Sequence, residues 1–248
     1  MATVYQQLCP VLFGAGALSR LGELITDYKA KRVFIVCDKG VQSTGLIEHI
    51  KGILDKNSIK SIVYDGVMPD APAEMVNEAG VFANDFEADL ILGIGGGSSL
   101  DTAKAVSVLR DNPAPISNYY LSNGGTFEKK TPLILIPTAS GTGSEVTIMS
   151  VIHDADSDAK EAVFRAADYA VVDPELTMTA PPSVTAATGL DALSHAIEAY
   201  TSLTHNPKAD VLALEAIRLI VDNLEKAYKN GNDLEARTKL SFASNIAG

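Results

Sequence analysis

An α/β fold on a parallel sheet, followed by the first helices of an all-helical second domain, is the architecture this sequence predicts. Short β-rich apolar runs alternate with helical periodicity as far as residue 172. One of those runs, residues 89–94, breaks into the consecutive glycines Gly95, Gly96 and Gly97 before a helix opens near Ser98. From Ser183 onward the alternation stops and helical periodicity continues alone.

The strand-helix units follow in order. A strand at 33–37 precedes a helix over 41–54, a strand at 61–64 precedes a helix over 73–83, and the glycine run is the turn of the third unit. Strands separated by helices of this length cannot pair as hairpins. They imply parallel pairing through right-handed crossovers with both sheet faces covered, and ligands of such sheets sit at the carboxyl ends of the strands, where the glycines fall. Further strands are expected at 133–136, 146–152 and 169–172, with an exposed turn at 123–130 and a polar hairpin tip at 154–158. The texture changes at Asp173-Pro174, and a boundary near 175–182 divides the chain into an α/β domain at 1–180 and a helical domain at 181–248. Pro181-Pro182-Ser183 reads as a rigid joint followed by an N-cap. Helices are then expected over 183–202, over 207–228 with Pro207 in the first turn, and over 233–246 after a turn at 230–232.

Composition narrows the function classes. With 248 residues and 46% hydrophobic content the chain can bury a substantial core. Its net charge of −11, with 20 Lys and Arg scattered rather than striped, argues against nucleic acid or an anionic membrane as partner. No apolar run is long enough to span a bilayer. Cys9 and Cys37 lack metal-type spacing, and the N-terminus shows no basic segment followed by an apolar stretch, so a cytoplasmic protein with reduced thiols is expected.

Several residues could carry chemistry. Consecutive glycines let the backbone take positive φ and approach a ligand, and the following helix directs unpaired N–H groups and a partial positive charge at an anion. The pattern is neither of the common nucleotide-binding glycine motifs, so a phosphate cradle and a plain tight turn both remain open. Residues 137–147 (PTASGTGSEVT) offer the uncharged donors Thr138, Ser140, Thr142 and Thr147, suited to a pyrophosphate or an amide, although an ordinary Ser/Thr-rich loop has the same composition. Asp38 directly follows a strand, where an acid can accept from an adenosine ribose and repel a 2′-phosphate, or simply close the Asp38-Lys39-Gly40 turn. Asp191 and His195 lie four apart on one helix face. A carboxylate and an imidazole there suit Fe(II), Zn, Mn, Co or Ni, and equally make a helix-surface hydrogen bond. Asp101 and Lys104 read as a helix-N-terminal acid and an exposed lysine, and His49, His153 and His205 as surface or structural histidines.

Taken together, GGGSSLDTAK (95–104), PTASGTGSEVT (137–147) and GLDALSHAIEAY (189–200), in this order and spacing, resemble the iron-containing (group III) alcohol dehydrogenases of the dehydroquinate-synthase-like superfamily. Residues 5–25 and 168–189 also look like that family, and the resemblance runs across essentially the whole chain. It implies that Gly96, Gly97 and Ser98 contact a pyrophosphate, that Thr138, Ala139, Ser140, Gly141 and Thr142 line the cofactor loop, and that Thr147 and Lys160 lie near the nucleotide. Asp38 matches the position favouring NAD over NADP, and Asp191 and His195 match the first two metal ligands. Two departures stand out. The family completes its metal site with two further histidines toward the C-terminus, which this chain does not supply, so it reads as C-terminally truncated. Asp70 stands where asparagine is frequent, adding negative charge close to the nucleotide.

The implied activity is an NAD-dependent oxidoreductase, assisted by Fe(II) or alternatively Zn, that interconverts small primary alcohols and aldehydes and forms a dimer. No side chain is assigned as a catalytic acid or base. The alternatives are a truncated, non-catalytic nucleotide-binding fragment, a glycerol-dehydrogenase-like zinc enzyme, and a lyase of the dehydroquinate synthase type.

Overall fold

The computed structural model describes residues 6–204 and 206–248; Tyr5, where the first family-like stretch begins, and His205 lie outside the described residues. In chain order the strands are β1 (Val11–Phe13), β2 (Arg32–Val36), β3 (Lys60–Tyr64), β4 (Leu90–Gly95), β5 (Leu133–Pro137), β6 (Met149–Asp154), β7 (Ala159–Phe164) and β8 (Tyr169–Val172). The helices are α1 (Leu21–Asp27), α2 (Lys39–Ser43), α3 (Leu46–Lys56), α4 (Ala73–Asp85), α5 (Gly97–Asp111), α6 (Pro182–Thr201), α7 (Pro207–Lys229) and α8 (Leu234–Ala247).

Six strands form one sheet in the order β1-β8-β5-β4-β2-β3, and every pairing in it is parallel. The expected α/β class holds. Both central strands, β4 and β5, are buried along their whole length, as a parallel sheet covered on two faces requires. Side chains alternate between the faces. Phe34, Val36, Ile91, Leu133 and Leu135 pack with α4 and α5, while Val33, Ile35, Leu90, Leu92, Ile134 and Ile136 pack with α1 and α3.

Some details differ from the expectations. The helix predicted over 41–54 is broken into α2 and α3, because Gly45 adopts a left-handed φ of 81° while the apolar period carries on across the break. The strand predicted at 146–152 begins only at Met149, since a turn in which Val146 and Thr147 both donate to the Gly143 carbonyl takes up its first residues. It pairs antiparallel with β7, which was not anticipated, in a hairpin outside the main sheet that closes near the expected tip. The edge strand β1 was not anticipated either; three residues are too few to show a period. Ser183 lies inside α6 rather than capping it, because the helix starts at Pro182 and Pro181 takes the cap position.

The last three helices pack on a core rich in small residues, in which Ala192, Ala196, Ala216, Ala227, Ala236 and Ala243 surround Leu219, Ile220 and Leu240. Asn206 and Asp233 cap α7 and α8 by accepting from the N–H groups of Ala209 and Ala236. Among the described residues no helix is long and apolar enough to cross a membrane.

Candidate functional site

The strand order reverses between β2 and β4. From β2 the chain proceeds outward to β3, and from β4 it proceeds the other way to β5, so a crevice opens at the carboxyl ends of these two strands. Asp38 ends one wall and residues 95–98 end the other.

The bend after β4 has the shape of a cradle. Gly95 sits at φ 143°, where side chains rarely go, and a Cβ there would lie 2.6 Å from Ser99 Oγ. Gly96 is extended and a Cβ on it would meet nothing within 4 Å, so it fronts open space. No side chain caps α5, and the first N–H groups of a helix have no intrahelical partner. These donors and the helix dipole point into the opening beside Gly96, an arrangement that fits the diphosphate of a dinucleotide.

The loop after β5 closes the cradle from the next strand. Thr138 donates its N–H to the Gly95 carbonyl at 3.0 Å, and the Thr142 methyl would lie 2.7 Å from a Cβ on Gly97. Farther along, the same loop turns to the helical half. Ser140 and Ser241 share a hydroxyl hydrogen bond of 3.0 Å. Gly141 approaches α6 so closely that a Cβ would lie 2.7 Å from Thr188 Cβ. Asn245 Nδ2 donates to Glu145 at 2.9 Å. Glu145 is buried, which pushes its carboxyl above the ordinary range against the opposing pull of that hydrogen bond.

The predicted site residues therefore divide. Asp38, Gly96, Gly97, Ser98, Thr138 and Thr142 stand around the carboxyl ends of β2, β4 and β5. Asp38 is already engaged, accepting from Val41 N–H at 2.9 Å as the cap of α2 and from Ser99 Oγ at 3.1 Å. Half-buried Ala139 follows Thr138, while Ser140 and Gly141 face α8 and α6. Lys160, on β7, is paired at 2.9 Å with Asp70, so the extra negative charge noted at Asp70 is answered locally; the same lysine draws the Asp70 carboxyl below its ordinary range.

Lys104 overturns an expectation. Instead of an exposed lysine it is 0% exposed, and its ammonium donates to Ser144 Oγ, Thr147 Oγ1 and the Met149 carbonyl. The apolar residues on both sides of it in α5 could have signalled a helix buried all round, on which no lysine is solvated.

Asp191 and His195 face each other on α6 with 3.7 Å between carboxylate and imidazole, and their side chains are 42% and 38% exposed. Among the described residues no third His, Cys, Asp or Glu joins them in a metal-holding group. Two half-exposed donors do not make a closed or even a three-ligand site, so this pair alone does not fit a firmly held metal. Burial pushes the thiols of Cys9 and Cys37 up to about 11 and about 12, which rules out thiolate chemistry near neutral pH.

Comparison with known proteins bears on the same segments. The family model described as "Iron-containing alcohol dehydrogenase" matches residues 10–174, and that described as "Fe-containing alcohol dehydrogenase family, C-terminal" matches residues 185–248. The chain is 43% identical to long-chain-alcohol dehydrogenase 1 of Geobacillus thermodenitrificans over 95% of its own length and 60% of that protein's. It is 37% identical to the NAD-dependent methanol dehydrogenase of Bacillus methanolicus over 96% and 63%. The crystal structure of sulfoacetaldehyde reductase from Bifidobacterium kashiwanohense in complex with NAD+ superposes with a TM-score of 0.94 at 29% identity, covering 100% of this chain and 66% of that one. The chain thus spans less than two thirds of the length of these relatives. With a matching family model over most of its length, it belongs to the iron-containing alcohol dehydrogenase family.

Proposed function

We propose that this chain carries the dinucleotide-binding part, and the first two metal donors, of an NAD-dependent oxidoreductase that interconverts small primary alcohols and aldehydes. The observation that carries the reading is the open, uncapped bend at residues 95–98, set where the strand order reverses. When bound, the dinucleotide supplies the hydride acceptor or donor. The chain's own residues hold and orient it: the first N–H groups of α5 take the diphosphate, Asp38 meets the adenosine ribose and disfavours a 2′-phosphate, and Thr138 and Thr142 wall the bend against water. The relatives agree in type, since they include an alcohol dehydrogenase, an NAD-dependent enzyme and an aldehyde reductase solved with NAD+. Asp191 and His195 would offer a carboxylate and an imidazole to Fe(II), or to Zn, on the face of α6. A cytoplasmic dimer belongs to the same reading, as does the division into domains at 1–180 and 181–248.

Fluorescence titration with NADH tests the binding half. Gly96→Val places its Cβ where nothing lies within 4 Å and its methyls in the opening, so it should fold like the parent and lose NADH binding; retained affinity in the folded variant defeats the reading. Following NADH absorbance with ethanol, butanol, propanediol and lactaldehyde in the presence of Fe(II) tests the redox half. A whole enzyme carrying these residues should turn over at least one of them.

A second reading, a nucleotide-binding module without catalysis, is favoured by the two-donor metal set among the described residues. Calorimetry on a whole enzyme carrying these residues separates the two: the module takes up NAD and shows no tight Fe(II) binding even there, whereas the oxidoreductase takes up both.

A further inference from the structure

Among the described residues no other lysine is buried, and burying an ammonium is costly unless all its donors are used. Lys104 uses all three. It donates to Ser144 Oγ at 2.8 Å, to the Met149 carbonyl at 2.7 Å and to Thr147 Oγ1 at 3.2 Å, with Asp101 Oδ1 at 3.5 Å. Every short acceptor lies on the segment that continues from Thr142. Asp101, one turn earlier on α5, binds the same segment: it accepts from Ser144 Oγ at 2.6 Å and Val151 N–H at 3.1 Å, and its main-chain carbonyl accepts from Ser150 Oγ at 2.8 Å. The early turns of α5 and residues 144–151 are thereby laced together. Thr142, just before the laced segment, is the residue whose methyl packs on Gly97. An apolar side chain of equal length could fill the space of Lys104, but it could not grip three oxygens from one strand of chain.

We infer that Lys104 is a positioning residue for the anion-binding bend: by gripping Ser144, Thr147 and Met149 it fixes residues 142–151 against α5, and so sets the wall that Thr142 presents to Gly97. The inference rests on the reading of that bend as a diphosphate cradle. It assigns Lys104 no contact with the ligand.

The test combines NADH titration with deuterium exchange read by mass spectrometry, on the unsubstituted chain, Lys104→Met, Ser144→Ala and the surface control Lys51→Met. In Lys104→Met, deuterium uptake should rise over residues 97–104 and 142–151 and stay unchanged over β2 and β3. NADH affinity should fall roughly tenfold, as expected when a wall held by charge-assisted hydrogen bonds loses its alignment. Ser144→Ala should show the same pattern more weakly, and it carries the test if Lys104→Met does not fold. Lys51→Met should change neither readout. A purely structural role would raise uptake throughout the sheet and leave the affinity of the folded protein intact, and that result overturns the inference. Unchanged uptake in both segments overturns it as well. Failure of the unsubstituted chain to bind NADH removes the cradle reading itself, and the ligand half of this inference with it, whereas normal binding by folded Lys104→Met removes the inference alone.

Discussion

Gly95 and Gly96 are neighbours with opposite reasons for being glycine. At Gly95 the backbone demands it: φ is 143°, and a Cβ would strike Ser99. Gly95→Ala should therefore cost roughly 1–3 kcal/mol of stability in a denaturant titration, in contrast to Gly96→Val, whose effect falls on the ligand. Asp38 serves two ends, capping α2 and facing the crevice. Asp38→Gly should cost roughly 1–3 kcal/mol, less through the lost cap, which glycine tolerates, than through the buried Ser99 hydroxyl left without its acceptor, while shifting cofactor preference toward NADP; unchanged selectivity in paired NADH and NADPH titrations would remove Asp38 from that role. Glu145 gives a pH dependence whose sign can be fixed. Burial holds its folded carboxyl above the ordinary range, so the native state keeps a proton that the unfolded chain releases. The stability tied to that proton is complete below the ordinary glutamate range and is lost as pH rises through the raised value. Glu145→Gln preserves an acceptor for Asn245 without the charge, so its melting-temperature advantage over the parent should grow between about pH 4 and about pH 8. An advantage equal at both ends would show that the carboxyl is not held protonated.

The loop after β5 is the element that joins the two halves. Its first residues wall the bend, and its later ones meet α6 and α8 through Gly141, Ser140 and Glu145. Because Gly141 lies in contact range of both the side chain and the backbone of Thr188, no small rotamer change makes room for a Cβ. Gly141→Ala should cost about 1–3 kcal/mol by overpacking and should weaken NADH binding along with stability, since the displaced loop is shared; a stable variant with normal affinity would show that the loop yields independently of the helices. The break between α2 and α3 belongs to this scale too. It lets α2 begin directly at the Asp38 cap while α3 takes its own line across the sheet, burying Ile47, Ile50 and Leu54.

Across the whole molecule, the legible parts were those in which one local rule governs. The sheet class followed from buried runs such as β4 and β5, and the strand-to-helix bend at 95–97 from its three consecutive glycines. Helix ends were read to within a residue or two where proline, asparagine or aspartate marks them. What escaped depends on distant partners. The neighbours of Lys104 in α5 could signal its burial, but the oxygens that hold it come from residues 144–149, and β1 is a strand only because β8 lies beside it. Thr147 could be matched to a family position, but its hydroxyl is occupied by Lys104, which no spacing along the chain reveals. The metal pair also belongs to this scale. With two half-exposed donors and no third among the described residues, the 248-residue chain should bind Fe(II) or Zn(II) with a dissociation constant weaker than about 10 µM by calorimetry, and a tight one-to-one site would show that another group completes the set. The pairing of β1 with β8 has a consequence for assembly. The edge strand β1 must wait for β8, the last strand of its sheet, before it can bond, so the central strands and their crossovers have to find each other with that edge still open. During synthesis, then, Val11–Phe13 docks only after β8 has been made, and the α/β layer is sealed late, beside the helices that cover its neighbouring loop.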